Sequence, residues 1–156
     1  MKLKRFFPLL LLLCAFSSAW AESSPGKYHA FRLHPGQDLK SELTRFIQEK
    51  ELGACAVVTC VGSLTRANLR FANEPSGSVV EGPLEIISLV GCGGKGSWHL
   101  HLSVSDKEGR MTGGHLMNGS IVRTTAEIVL VELTELEFER ADDPETGYKE
   151  LRVDRK

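Results

Sequence analysis

The 156 residues contain no run of basic side chains, only four cysteines, no internal repeat, and no apolar stretch of the roughly 20 residues that a membrane-spanning helix needs. With 19 basic against 20 acidic side chains and no basic cluster, the chain is a poor counterion-release partner for DNA phosphates. The balanced composition, 42% hydrophobic and 25% charged, excludes collagen-like, coiled-coil and disordered classes. The P-loop pattern is missing, and no Ser-His-Asp or Cys-His arrangement can be placed by spacing.

The apolar run that is present lies at the start. Lys2, Lys4 and Arg5 precede the segment Phe6 to Phe16, and Ala19-Trp20-Ala21 follows it, which is the layout of a signal peptide cut after Ala21. A lipoprotein reading of Leu11-Leu12-Leu13-Cys14 fails, because a large Leu precedes the Cys and the apolar run continues past it. Residues 1–21 are therefore expected to direct export, to the periplasm or outside the cell, with no membrane attachment after cleavage. Cleavage removes three basic and no acidic side chains, leaving 135 residues with 16 basic and 20 acidic groups and a net charge of −4. One domain of that size can bury a real core.

Cys55, Cys60 and Cys92 remain in the exported part. On one extended strand Cys55 and Cys60 stand roughly 16 Å apart, beyond disulfide reach, so any internal bridge has to use Cys92. An odd count of this kind fits buried, inert thiols better than a disulfide framework, and C-x4-C is neither a redox nor a zinc spacing.

Residues 22–27 read as a polar linker, and Tyr28 to Leu33 as an edge strand ending in the turn His34-Pro35-Gly36. Asp38 suits the N-cap of a helix whose apolar positions Leu39, Leu43, Phe46 and Ile47 form one stripe, ending near Gly53. The rest reads as strands: Ala54 to Val61, Arg66 to Phe71, Leu84 to Val90, Ser97 to Ser105, Arg110 to Met117 and Ile121 to Thr134. The expected fold is α/β of the α+β type, a single mostly antiparallel sheet or partial barrel with one main helix packed on it. The main domain spans 28–134. Residues 135–156 alternate charged and apolar side chains around Asp142-Asp143-Pro144-Glu145-Thr146-Gly147, which suits an exposed hairpin flanked by Phe138 and Tyr148, with its charges on a solvated face.

Gly91-Cys92-Gly93-Gly94-Lys95-Gly96 matches the dinucleotide fingerprint G-x-G-x-x-G. The segment after it, Ser97 to Val104, alternates with period two, where the fingerprint needs a helix. The glycines are better read as a loop that turns tightly or approaches another backbone closely. Asn118-Gly119-Ser120 is an N-glycosylation triplet, relevant only to an exporting eukaryotic cell.

Three of the five histidines fall between Trp98 and Leu116. On a strand, His99 and His101 point to one face while Leu100, Leu102 and Val104 point to the other. The sequence Asp106-Lys107-Glu108-Gly109-Arg110 fits a three-residue hairpin loop with Gly109 in the left-handed position, which pairs Asp106 with Arg110. Counting back along both strands places His101 opposite His115, with His99 diagonally within reach. Three nitrogen ligands with an open fourth position suit zinc or a similar divalent ion that also binds water or substrate. A different loop length or a bulge at Gly113-Gly114 would shift this register, and the alternative is that the histidines hydrogen-bond to neighbours at a subunit interface. His29 and His34 lie outside this hairpin and read as surface residues. Glu85 and Glu127, each inside an apolar strand run, are the acids that could complete such a site, Glu127 as an orienting group or general base.

The order of these motifs also resembles a known family. Tyr28-His29-Ala30-Phe31-Arg32-Leu33, Pro35-Gly36-Gln37-Asp38-Leu39, Ala56 to Leu64, Pro83 to Gly91, His99-Leu100-His101-Leu102, Gly113-Gly114-His115-Leu116 and Thr125-Ala126-Glu127 are similar to segments of the PPC (plants and prokaryotes conserved) domain. The resemblance runs from about Tyr28 to Leu133. It implies a largely antiparallel domain with one helix that assembles as a homotrimer, and carries the metal-ligand role onto His99, His101 and His115. Plant members follow AT-hook segments; this sequence has no Arg-Gly-Arg-Pro AT-hook. Three functions follow as expectations: an exported trimeric metal-binding domain with a binding or assembly role and room for a small-molecule ligand; a metal-dependent hydrolase or lyase using Glu127 or Glu85; and a DNA-associated regulator, disfavoured by charge and leader.

Overall fold

A computed structural model describes residues 21–156; apart from Ala21, the leader expected from the sequence lies outside the described residues. In chain order the elements are β1 (Gly26–Leu33), α1 (Leu39–Glu49), β2 (Cys55–Arg70), β3 (Ser78–Gly94), β4 (Ser97–Ser105), β5 (Met111–Leu116), β6 (Ile121–Leu133), β7 (Leu136–Asp142) and β8 (Lys149–Arg155). No helix among the described residues is long and apolar enough to cross a membrane.

Helix α1 forms where its apolar stripe and cap place it. Asp38 accepts a hydrogen bond from the Ser41 amide at 2.8 Å, satisfying one of the helix's free N-terminal donors, and its second oxygen takes the Gly119 amide. Leu39, Leu43 and Ile47 are buried against the sheet, while Phe46 stacks on Phe31 of β1 with ring centres 4.4 Å apart. The helix ends at Glu49, short of the expected Gly53, because Glu51 takes a left-handed conformation (φ 52°) and turns the chain early.

Strands β1 to β6 form one antiparallel six-stranded sheet in the order β1-β6-β2-β3-β4-β5. β1 is the edge strand expected, and it begins two residues earlier, inside the segment read as a linker. A single β2 replaces the two strands expected over 54–71. Register shifts between Val57 and Thr59, Gly62 and Leu64, and Leu64 and Arg66 bend this strand instead of ending it. The bend carries the far end of β2 across to β5, where Leu69 pairs with Leu116 and Arg70 with His115. The sheet thus curls into a partial barrel, and its interior is the apolar core, where Leu39, Leu43 and Ile47 of α1 share one buried cluster with Leu64, Leu100, Leu102 and Leu130.

The glycine-rich segment is strand rather than loop. β3 runs through Gly94, and Lys95-Gly96, both with positive φ (48° and 82°), make the two-residue turn into β4. Close approach explains the glycines: a Cβ on Gly91 would stand 1.9 Å from the His99 carbonyl oxygen, and one on Gly94 equally near that of Gly53. β4 follows directly, so the dinucleotide fingerprint lacks its helix.

Cys55, Cys60 and Cys92 are free thiols. Cys92 aligns with Ala56, one position off Cys55, and so points to the other side of the ladder. Burial pushes the Cys55 and Cys60 thiols up to about 12 and raises that of Cys92, so all three are poor nucleophiles. In the Asn118-Gly119-Ser120 triplet, Ser120 is buried, and its hydroxyl accepts the Asn68 amide at 3.0 Å. His29 is not the surface residue expected: it is largely covered, 3.2 Å from Glu132 and edge-on to Phe46.

β7 and β8 form a separate two-stranded ribbon. Leu136 and Phe138 anchor it on Ala54, and the Phe138 amide donates to the Gly53 carbonyl at 2.9 Å. Cys92 of β3 and Leu133 of β6 pack against the same small cluster, and Lys95, in the β3–β4 turn, adds polar contacts to Glu137 at 2.7 Å and Glu139 at 2.8 Å.

Candidate metal centre

The β4–β5 turn fixes the histidine register. Asp106 takes the Arg110 amide on its carboxylate and donates its own amide to the Arg110 carbonyl, and Gly109 (φ 77°) occupies the left-handed position. From that turn Ser105 pairs with Met111, Ser103 with Gly113, and His101 with His115, with no slip at Gly113-Gly114. Trp98, Leu100, Leu102 and Val104 turn into the core, which leaves His99 and His101 together on the opposite face.

The three rings converge. Their centres are 5.0 Å (His99–His101), 5.2 Å (His99–His115) and 5.7 Å (His101–His115) apart. One ring nitrogen from each lies within 4.8 Å of the other two, and His101 is exposed while its neighbours are half-buried. Nitrogens bound at 2.0–2.1 Å to one tetrahedral zinc stand roughly 3.3 Å apart, a spacing that small ring rotations reach from here.

Electrostatics prepares the imidazoles for a cation that needs their lone pairs. Burial first, then the positive charge of Lys40, pushes His115 down to about 4, with His99, Arg70 and His101 adding to it. His99 is lowered by burial, then by Arg140 and His101. Both rings are therefore neutral at neutral pH, the form that ligates metal. The buried Nδ1 of His115 has no hydrogen-bond partner, a cost that a bound ion or a group ordered around it would remove. The donor set of three imidazoles and no carboxylate fits zinc or a similar borderline ion, with one coordination position left over.

The two acids singled out from the sequence lie elsewhere. Glu127 sits on β6, opposite Arg32 and Val61, because β6 inserts between β1 and β2 instead of folding back on β5. Glu85 shares the histidine face but pairs with Ser105, four residues or roughly 13 Å along β4 from His101. Both side chains are exposed.

Sequence reasoning missed the cations. Arg70 is brought beside His115 by the β2–β5 pairing, a contact between strands 45 residues apart that the bulges of β2 create. The charges of the tail were expected on a solvated face. Most of them are exposed as expected, but Arg140, Tyr148 and Lys149 of the β7–β8 hairpin, together with Arg70, His99 and His115, also line a cavity of about 730 Å³.

Known proteins are similar to this chain in sequence and fold. The chain is 45% identical over 129 residues to the bifunctional protein GlmU of a Synechococcus strain, matching 83% of this chain and 21% of that one, so it spans about a fifth of such curated relatives. A hypothetical protein from Salmonella cholerae-suis superimposes with a TM-score of 0.85 and 41% identity, covering 86% of this chain and 98% of the other. A metal-containing protein from Archaeoglobus fulgidus superimposes at 0.71 with 29% identity, covering 84% of this chain and 96% of its own. The model of the Plants and Prokaryotes Conserved (PCC) domain matches residues 21–134, which include β1 to β6 and all three histidines. On that match, and on the antiparallel sheet with its single helix, the chain belongs to the Plants and Prokaryotes Conserved domain family.

Proposed function

We propose that this chain is an exported, homotrimeric metal-binding domain that holds one divalent ion, zinc, on His99, His101 and His115 and serves in ligand binding or assembly. The observation that carries the reading is the convergence of three imidazoles within 4.8 Å on a rigid hairpin, two of them held neutral by their surroundings. The metal-containing relative from Archaeoglobus fulgidus, 29% identical over most of its length, supports it. The all-nitrogen donor set favours zinc or a similar borderline ion over the harder ions magnesium and calcium.

Assembly is supported by the sheet's outer surface. Val58, Val61, Ile87 and Val90 are each about half exposed on neighbouring strands β2 and β3, the kind of apolar patch that a second copy covers. Export rests on the leader Lys2 to Ala21. An enzymatic role for Glu85 or Glu127 finds no support at the histidines, since neither acid reaches them within the chain.

The test is elemental analysis of protein purified without added metal, beside a His101→Ala/His115→Ala variant. Near-stoichiometric zinc in the first and little in the second is expected; equal and negligible metal in both removes the site. Light scattering at about three times the chain mass, and a mature N-terminus at Glu22 in the exported fraction, are the expected outcomes for assembly and export.

A further inference from the structure

The cavity beside the histidines gathers more positive charge than its own acids neutralise. Arg140 donates to the Lys149 carbonyl and lies 3.7 Å from Glu150, whereas the half-buried Arg70 has no ion pair and no side-chain hydrogen bond among the described residues. A partly desolvated guanidinium without a partner costs free energy that an oxyanion recovers, because its fork of N–H groups matches two oxygens at once. A divalent cation on three neutral imidazoles adds two further charges with no carboxylate to offset them. The buried indole N–H of Trp98, which also lines the cavity, has no acceptor either. At about 730 Å³ the space is that of an organic ligand, not of an inorganic ion alone.

We infer that this cavity binds a small organic oxyanion, a carboxylate or phosphate ester of metabolite size, whose charged head pairs with Arg70 and Arg140 and whose oxygen takes the open position beside the three histidines. The last contact rests on the zinc reading; the two arginine contacts do not. Arg70 comes from the barrel, but Arg140 and Tyr148 come from the hairpin beyond residue 134, where the family match ends. The head group is thus held partly by the family fold and the remainder of the ligand by the hairpin.

Titration calorimetry of inorganic phosphate and of succinate into zinc-loaded and zinc-stripped full-length mature protein tests this. At least one probe binds the loaded protein, and Arg70→Gln and Arg140→Gln each weaken it about tenfold or more, as loss of a charge-assisted hydrogen bond implies. Lys107→Gln, on the exposed β4–β5 turn, changes nothing, and zinc content and circular dichroism are equal in all four proteins. Stripping zinc weakens binding further in the wild type. Arginine-dependent binding that ignores zinc upholds the anion site while removing the metal contact, and zinc content, measured separately, reports whether the metal reading itself stands. No binding of either probe to loaded protein at millimolar concentration, or equal binding by wild type and both arginine variants, overturns the inference.

Discussion

In the β4–β5 hairpin alternate residues of β4 are sealed in the core, while in the β7–β8 hairpin only Leu136 and Phe138 are buried. The first is held by tertiary packing. The second is held by its own backbone ladder and the Leu136–Phe138 anchor, with exposed ion pairs along its strands: Arg152 with Glu139, Arg140 with Glu150 at 3.7 Å and Lys149 with Asp142 at 3.9 Å. Both hairpins face one cavity, yet they suit different tasks. A ligand set for a metal needs rings fixed to within a fraction of an ångström, which a strand with its back in the core supplies. A cavity wall that recognises a ligand can tolerate, and gain from, a looser attachment.

The largest expected effect breaks the rigid member. Leu102→Ala removes a side chain that is 1% exposed directly behind the histidine face, and is expected to destabilise the fold by about 2–5 kcal/mol in urea denaturation. A loss under about 1 kcal/mol would mean that the β4–β5 hairpin is not held by its core face. Next comes the anchor of the looser member. Phe138→Ala opens the small cluster around Ala54 and is expected to cost about 3 kcal/mol or less, since that cluster is shallow. Zinc content should survive this change, because no residue of the ribbon is a ligand. Loss of metal together with the ribbon's anchor would show that the two hairpins act as one unit.

The same contrast explains what the sequence made legible. The β4–β5 hairpin is local: its loop, Asp106 to Arg110, carries its own turn chemistry, and its period-two pattern names the buried face, so the opposition of His101 and His115 follows by counting. The helix is equally local, with its cap and stripe both written in consecutive residues. Arg70 was not legible, because its place beside His115 depends on three register shifts in β2 that no short-range pattern marks. Glu127 misled for a related reason: chain order puts it after His115, while the sheet order puts β6 between β1 and β2. The tail's alternating charges look alike in sequence whether they face solvent or a cavity, and only the docking of Phe138 onto Gly53 decides which.

Acid provides a smaller perturbation aimed at one hairpin. His115 has its folded value pushed down to about 4, below the roughly 6.5 of an unfolded chain. Between those values the unfolded state binds the extra proton, so metal-free protein keeps its full stability above about pH 6.5 and loses it as pH falls toward 4. Bound metal competes with the same protons, and release is expected across the same window. Urea midpoints of stripped and loaded protein at pH 7.5 and 5 should both fall, with the gap between them narrowing. A stripped protein equally stable at both values would place His115 in water rather than in the half-buried site.

The smallest effect belongs to the surface charges of the ribbon. Arg152 bonds Glu139 and Asp154, the latter at 2.9 Å, on a largely exposed strand, where ion pairs gain little beyond the entropy lost in fixing two long side chains. Arg152→Ala should therefore leave the global urea midpoint where it is, while amide exchange along β8 accelerates and that along β4 does not. High salt should mimic the substitution, since it screens exposed pairs and spares the apolar contacts behind β4. If β4 amides quickened together with those of β8, the ribbon's charges would be coupled to the histidine strand. The route of that coupling would have to be Lys95, which joins the β3–β4 turn to Glu137 and Glu139.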